Sequence, residues 1–165
     1  MGKDMNVSLA SIQVNEIYEI LGNVITMGAQ YKILAKAIDR GIQLGKIRQC
    51  HLSSIFILEG VHEQDASKVI KYLLSPDGEM VELSRLDEAF KRAKVVAIRN
   101  SSALAMLKSA IQNNGKLVAE SFERQDHNKD GLLNIDGFWA SLLLPEIKMS
   151  KSDLNECFYL VCNQD

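Results

Sequence analysis

The stretch Asp126-His127-Asn128-Lys129-Asp130-Gly131-Leu132-Leu133-Asn134-Ile135-Asp136-Gly137-Phe138 decides how this chain is read. Oxygen-bearing side chains stand at its first, third and fifth positions, Asp126, Asn128 and Asp130. Gly131 is sixth, where a loop that turns sharply back needs a residue without a side chain. Leu132 at the seventh position offers a backbone carbonyl, and Asn134 at the ninth offers another oxygen, directly or through water. Alternating hard oxygens of this kind suit a hard divalent cation. Apolar residues recur at helical spacing on both sides: Leu117, Val118 and Phe122 before the loop, and Phe138, Trp139, Leu142 and Leu143 after it.

Over 116–147 this pattern resembles the EF-hand family of helix-loop-helix units. The resemblance implies Ca2+ as the ion, with Asp126, Asn128, Asp130, Leu132 and Asn134 as its ligands. It also places Leu133 at the eighth position, where paired loops form a short β-bridge. One position departs from the family pattern. The twelfth residue is Gly137, where the family carries a bidentate glutamate, and Asp136 at the eleventh points elsewhere. Two ligand oxygens are thereby lost. Two outcomes stay open: weakened calcium binding, or a hand that keeps its shape without useful affinity.

Units of this family come in pairs, so related shapes are expected upstream. Residues 38–58 read as a helix, a glycine turn at Gly45, Ile47 at the bridge position and a helix around Leu52. Arg40, Ile42 and Leu44 occupy its ligand positions and cannot hold an ion. Residues 73–90 read similarly, with Asp77-Gly78 followed by Met80 or Val81 as the bridge residue. The resemblance thus implies two lobes. Residues 1–99 would form an N-terminal helical lobe built from two vestigial EF-hands. Residues 102–165 would form a C-terminal EF-hand lobe with an incomplete second hand. There Ser150 caps a helix carrying Leu154, Phe158 and Val161, and Asp153 sits near its positive end. The sequence reaches Asp165 without a second loop.

The remaining chain is helical in pattern, and no segment alternates cleanly with a period of two, so the expected class is all-α. Leu9, Ile12, Ile17, Ile20 and Leu21 make a first helix, with Ser8 as its cap and Gly22 as its stop. Ile33, Leu34, Ala37 and Ile38 make the stripe of a second, and Leu52, Ile55, Phe56 and Leu58 that of a third. Val69, Ile70, Leu73 and Leu74 precede the Ser75-Pro76-Asp77-Gly78 turn. Ser84 caps a helix over 85–99, and Asn100-Ser101-Ser102 marks the boundary between lobes. Asn113-Asn114-Gly115 reads as a helix stop. An apolar face of Leu117, Phe122, Phe138, Leu142, Leu154 and Phe158 needs cover, expected from the last helix folding back with Phe158 buried.

Composition narrows function. The 165 residues are 47% hydrophobic and 24% charged, which excludes a disordered or low-complexity chain. A net charge of -2 gives no reason to expect a nucleic-acid partner. No apolar run is long enough for a membrane span. Cys50, Cys157 and Cys162 make an odd set, read as free thiols in a reducing cytoplasm, cytoskeletal association included. His51, His62 and His127 stand in no catalytic pattern, so no enzyme is expected. The basic bias of Arg85, Lys91, Arg92, Lys94, Arg99, Lys108 and Lys116 reads as a solvated helix surface before an acidic docking face. The expected function is that of a calcium-responsive adaptor binding a protein partner, an amphipathic helix in a groove to which Met27, Met80, Met106 and Met149 would contribute. The alternative is a calcium-independent structural or light-chain-like subunit that has kept the EF-hand fold.

Overall fold

The computed structural model describes residues 2–41, 45–76 and 78–161. Ile42, Leu44, Asp77 and Cys162 lie outside these, so the expectations placed on them are not taken further. The described chain is mostly helical, with one small sheet. It divides into two compact units, Met1–Arg99 and Asn100–Asp165.

In the first unit, α1 (Gly2–Thr26) runs past both of its expected ends. Ser8 lies inside the helix rather than capping it. Gly22 does not stop it, because α1 there passes close to a later helix: a Cβ on Gly22 would stand 3.5 Å from that of Ala97. The stop falls at Gly28, whose φ of 75° only glycine adopts readily. The Ala29 N–H then reaches back to the Val24 carbonyl at 3.1 Å. After α2 (Gln30–Asp39) come β1 (Lys46–Arg48) and α3 (Gln49–Leu58). After α4 (Glu63–Leu73) come β2 (Met80–Glu82) and α5 (Leu83–Asn100).

The architecture agrees with the all-α expectation, and its one small ribbon falls at Ile47 and Val81, where short bridges were expected. β1 and β2 pair antiparallel, with Lys46 opposite Glu82, Ile47 opposite Val81 and Arg48 opposite Met80. Three residues per strand are too few to show a period of two in sequence. The pairing holds because Ile47 and Val81 are both fully buried at its centre. Two helix-strand-helix units thus meet loop to loop. The second loop is a tight turn. The Ser75 N–H and hydroxyl both donate to the Met80 carbonyl, at 3.0 and 2.8 Å. The Gly78 N–H closes onto the Ser75 carbonyl at 2.8 Å.

The core of this unit gathers Leu21, Ile25, Ile33, Leu52, Ile55, Leu73 and Leu86 around Phe56 and Phe90. The two phenyl rings are nearly parallel with centroids 6.5 Å apart. Such a pair adds about 0.5–1.5 kcal/mol beyond its burial. Two expected core residues are outside: Ile38 is 67% and Leu58 68% exposed. Each is the last apolar residue of its stripe, where the helix has already turned away from the core.

In the second unit, α6 (Ser102–Gln125) begins at Ser101, whose hydroxyl accepts from the Leu104 N–H at 3.1 Å. It does not stop at 113–115. Asn114 leaves helical geometry, with φ −132° and ψ 32°, and the chain resumes as a helix after this kink. The Asn114 side chain donates to the Ala110 carbonyl at 3.1 Å, a side-chain bond to the preceding turn of the kind that bends helices. The loop at 126–134 leads to α7 (Ile135–Leu142), then to α8 (Lys151–Val161). Ser150 and Asp153 cap α8 reciprocally: the Asp153 N–H donates to Ser150 Oγ at 3.1 Å, and the Ser150 N–H to Asp153 Oδ2 at 3.2 Å.

The α8 helix packs on α6 and α7, and the core holds Leu107, Val118, Leu142, Ile147, Leu154 and Cys157. The expected apolar face divides. Leu142 and Leu154 are fully buried, whereas Leu117, Phe122, Phe138 and Phe158 are half-buried. Phe158 is therefore a rim residue, tilted against Phe138 with centroids 5.5 Å apart. Among the described residues, no helix is long and apolar enough to cross a membrane.

Candidate metal centre

The loop after α6 is organised by one carboxylate. Asp126 is the C-cap residue of α6, and its side chain turns into the loop. Its Oδ1 accepts from the Asp130 N–H at 3.2 Å, and its Oδ2 from the Gly131 N–H at 2.9 Å. The chain can double back this tightly because Lys129 and Gly131 both take positive φ, 57° and 77°. Gly131 adopts that geometry freely, and Lys129 at some cost. Asp130 continues the pattern: its Oδ1 accepts from the Leu132 N–H at 2.9 Å, and its Oδ2 from the Asn128 side-chain amide at 2.8 Å.

Asp126, Asn128 and Asp130 are thus brought together by direct hydrogen bonds. Asn134 is turned away from them. Its Oδ1 accepts from the Gly137 N–H at 2.8 Å and caps α7. The Leu132 side chain stands in solvent, 73% exposed. That is compatible with a residue expected to contribute only its carbonyl. His127 and Asp136 are exposed. Along the loop a shallow concavity opens, lined by His127, Asn128, Asp130, Asn134, Asp136 and Gly137. Gly137 places no side chain there; a Cβ on it would stand 3.3 Å from both Asn134 Oδ1 and Leu133 Cδ2.

Calcium takes six to eight oxygens, usually at least one bidentate carboxylate among them. The fit is partial. Each oxygen of Asp126 and Asp130 accepts one hydrogen bond and keeps a lone pair for a cation. The Asn128 amide, however, presents its nitrogen to the carboxylate an ion would share, and would have to turn its oxygen inward. Asn134 Oδ1 is engaged in its cap. Among the described residues, no group of three or more His, Cys, Asp or Glu side chains is placed to hold a metal ion.

The other candidates disperse. Met149 is core, Met80 half-buried, and Met27 and Met106 exposed in different units, so the four share no groove within either one. On the basic stretch, Lys91 pairs with Asp87 at 2.8 Å and Arg92 with Glu88 at 2.7 Å, one helical turn apart. Sequence reasoning missed a cluster on α1, α4 and α5 formed by Tyr18, Tyr72, Arg85, Glu88 and Arg92. No spacing signal could have found it, since three distant segments contribute. Comparison with known proteins finds no matching family model, no matching curated protein and no matching solved structure.

Proposed function

We propose that this chain is an EF-hand-like protein that binds Ca2+ weakly through the loop at 126–134 and acts as a calcium-responsive adaptor for a protein partner. The observation that carries this reading is the Asp126 carboxylate, held at the centre of the loop by the N–H groups of Asp130 and Gly131. That arrangement gathers the first, third and fifth positions on one side of the turn, as a hard cation requires. The loop-to-loop pairing of Ile47 with Val81 supports the same reading for the first unit, as two hands that kept their bridge without ligands. Asp126, Asn128 and Asp130 would be the primary ligands. The Leu132 carbonyl would add one oxygen, and Asn134 another directly or through water. The partner would be an amphipathic helix, and the role is binding, carried out in the cytoplasm. Calorimetry tests the ion: binding with a dissociation constant of about 10⁻⁴ M or weaker, abolished by Asp126→Ala, is the expected result. No heat at millimolar calcium would sink it.

A specific observation favours a second reading. The Asn128 amide already bonds Asp130, and Asn134 already caps α7, so both side chains have protein partners that an ion would have to displace. On that reading the chain is a calcium-independent structural or light-chain-like subunit. Partner capture that is identical in calcium and in chelator would select it.

A further inference from the structure

Within the first unit, a cleft of about 160 Å³ opens between α1, α4 and α5. Its polar lining is Tyr18, Tyr72, Arg85, Arg92 and Glu88. Both guanidinium groups have a protein acceptor. Arg85 Nη1 donates to the Leu74 carbonyl at 3.2 Å, and Arg92 Nη2 to Glu88 Oε1 at 2.7 Å. An arginine has five N–H donors in a fixed fork, so both retain donors for a further acceptor. The Tyr18 and Tyr72 side chains interact with each other, and Arg92 interacts with Tyr18. Burial, more than the Tyr18 contact, raises Tyr72 above the usual phenol range.

Two guanidinium groups and two phenols around one small cavity match a tetrahedral oxyanion, because planar N–H forks engage its oxygens in pairs. The volume is below the 300–1,000 Å³ of ordinary small-molecule pockets, which leaves room for a phosphate group rather than a nucleotide. One carboxylate opposes this, that of Glu88. It is 61% exposed and pairs with Arg92 one turn along the same helix, among the weakest kinds of ion pair. It can swing into solvent when a stronger acceptor arrives.

We infer that this cleft binds a phosphate monoester group, clamped by Arg85 and Arg92, with one hydroxyl of the Tyr18–Tyr72 pair as a further donor and Glu88 as the resident carboxylate it displaces. The inference stands apart from the calcium loop, which lies in the other unit.

The test uses the full chain, with inorganic phosphate and chloride compared at matched ionic strength by thermal shift and by NMR titration. Phosphate should stabilise saturably and shift Tyr72 and Arg92 resonances. Arg85→Gln and Arg92→Gln should each weaken binding at least tenfold while the far-UV dichroism stays unchanged. Glu88→Gln should tighten binding several-fold, since it removes the competitor. This surface variant keeps the test decisive should an arginine variant unfold. A phosphoseryl peptide that binds tighter than inorganic phosphate identifies a phosphorylated protein segment as the source, and equal affinities identify the free ion. If phosphate and chloride act alike, or if Glu88→Gln only lowers the melting temperature without changing phosphate affinity, the cluster is a structural cross-link and the inference fails.

Discussion

Asn134 accepts a hydrogen bond from the Gly137 N–H at 2.8 Å, so the ninth and twelfth positions of the loop are joined through a helix cap. The oxygen that would serve an ion at the ninth position also starts α7. Capping side chains of this kind contribute about 1 kcal/mol to stability. Asn134→Ala should therefore lower the unfolding free energy by that amount, and the urea midpoint with it, even in chelator, whereas Asn134→Asp should keep both. An unchanged midpoint for Asn134→Ala would mean that α7 starts without this cap.

Gly137→Glu should restore the missing bidentate carboxylate and tighten calcium binding at least tenfold, about 1.4 kcal/mol. The new Cβ meets Asn134 Oδ1 and Leu133 Cδ2 at 3.3 Å, so those side chains must yield by a few tenths of an ångström. Gly137→Ala isolates that steric effect, because it adds the Cβ without the carboxylate. Calorimetry on both variants checks the prediction. A glutamate variant that binds no better than the alanine one removes the ion-binding reading of the loop.

The last helix offers a paired comparison. Leu154 is fully buried and Phe158 only half-buried. Leu154→Ala should cost about 2–5 kcal/mol, as for a large-to-small change in a packed core. Phe158→Ala removes a larger side chain but should cost less, because water already reaches it. Chemical denaturation gives both values, and a reversed order would place Phe158 rather than Leu154 at the centre of the α6–α7–α8 packing.

Cys157 is buried, and desolvation is the main cause that pushes its thiol up to about 11. The sign of the effect follows from the folded pKa lying above the ordinary value of about 8.5. The folded state holds its proton longer than the unfolded one, so the contribution to stability is intact below about pH 8.5. It is lost as pH rises from there towards 11. Cys50 is exposed near the start of α3. At pH 8 a thiol reagent should label Cys50 promptly and leave Cys157 unmodified until denaturant is added. Mass spectrometry of the labelled peptides would show the order, and equal rates would contradict the packing of α8.

The helices were legible wherever an apolar stripe repeated at helical spacing, as at Val69, Ile70 and Leu73 on α4 or Leu86, Phe90 and Ala93 on α5. Stops were less so. Gly22 and Asn114-Gly115 carry residues that often end helices, yet here one fits a close approach to Ala97 and the other bends α6 without ending it. Both outcomes depend on tertiary packing, to which local propensity is blind. The spacing of Asp126, Asn128 and Asp130 placed a turn in the sequence, but not that Asn128 would offer its nitrogen or that Asn134 would serve as a cap. The Tyr18–Tyr72–Arg92 cluster was invisible, because it exists only once α1, α4 and α5 are side by side.

The β1–β2 ribbon has a consequence for how this chain can change over generations. Its pairing is made by main-chain groups, which every residue but proline carries, and only Ile47 and Val81 at its centre are fully buried. Natural selection acting on the architecture of the first unit therefore meets few side-chain requirements in the ribbon. Exposed residues such as Arg48 can be exchanged without unburying the centre of the ribbon, so the loops around it can vary while the helices they join stay in register.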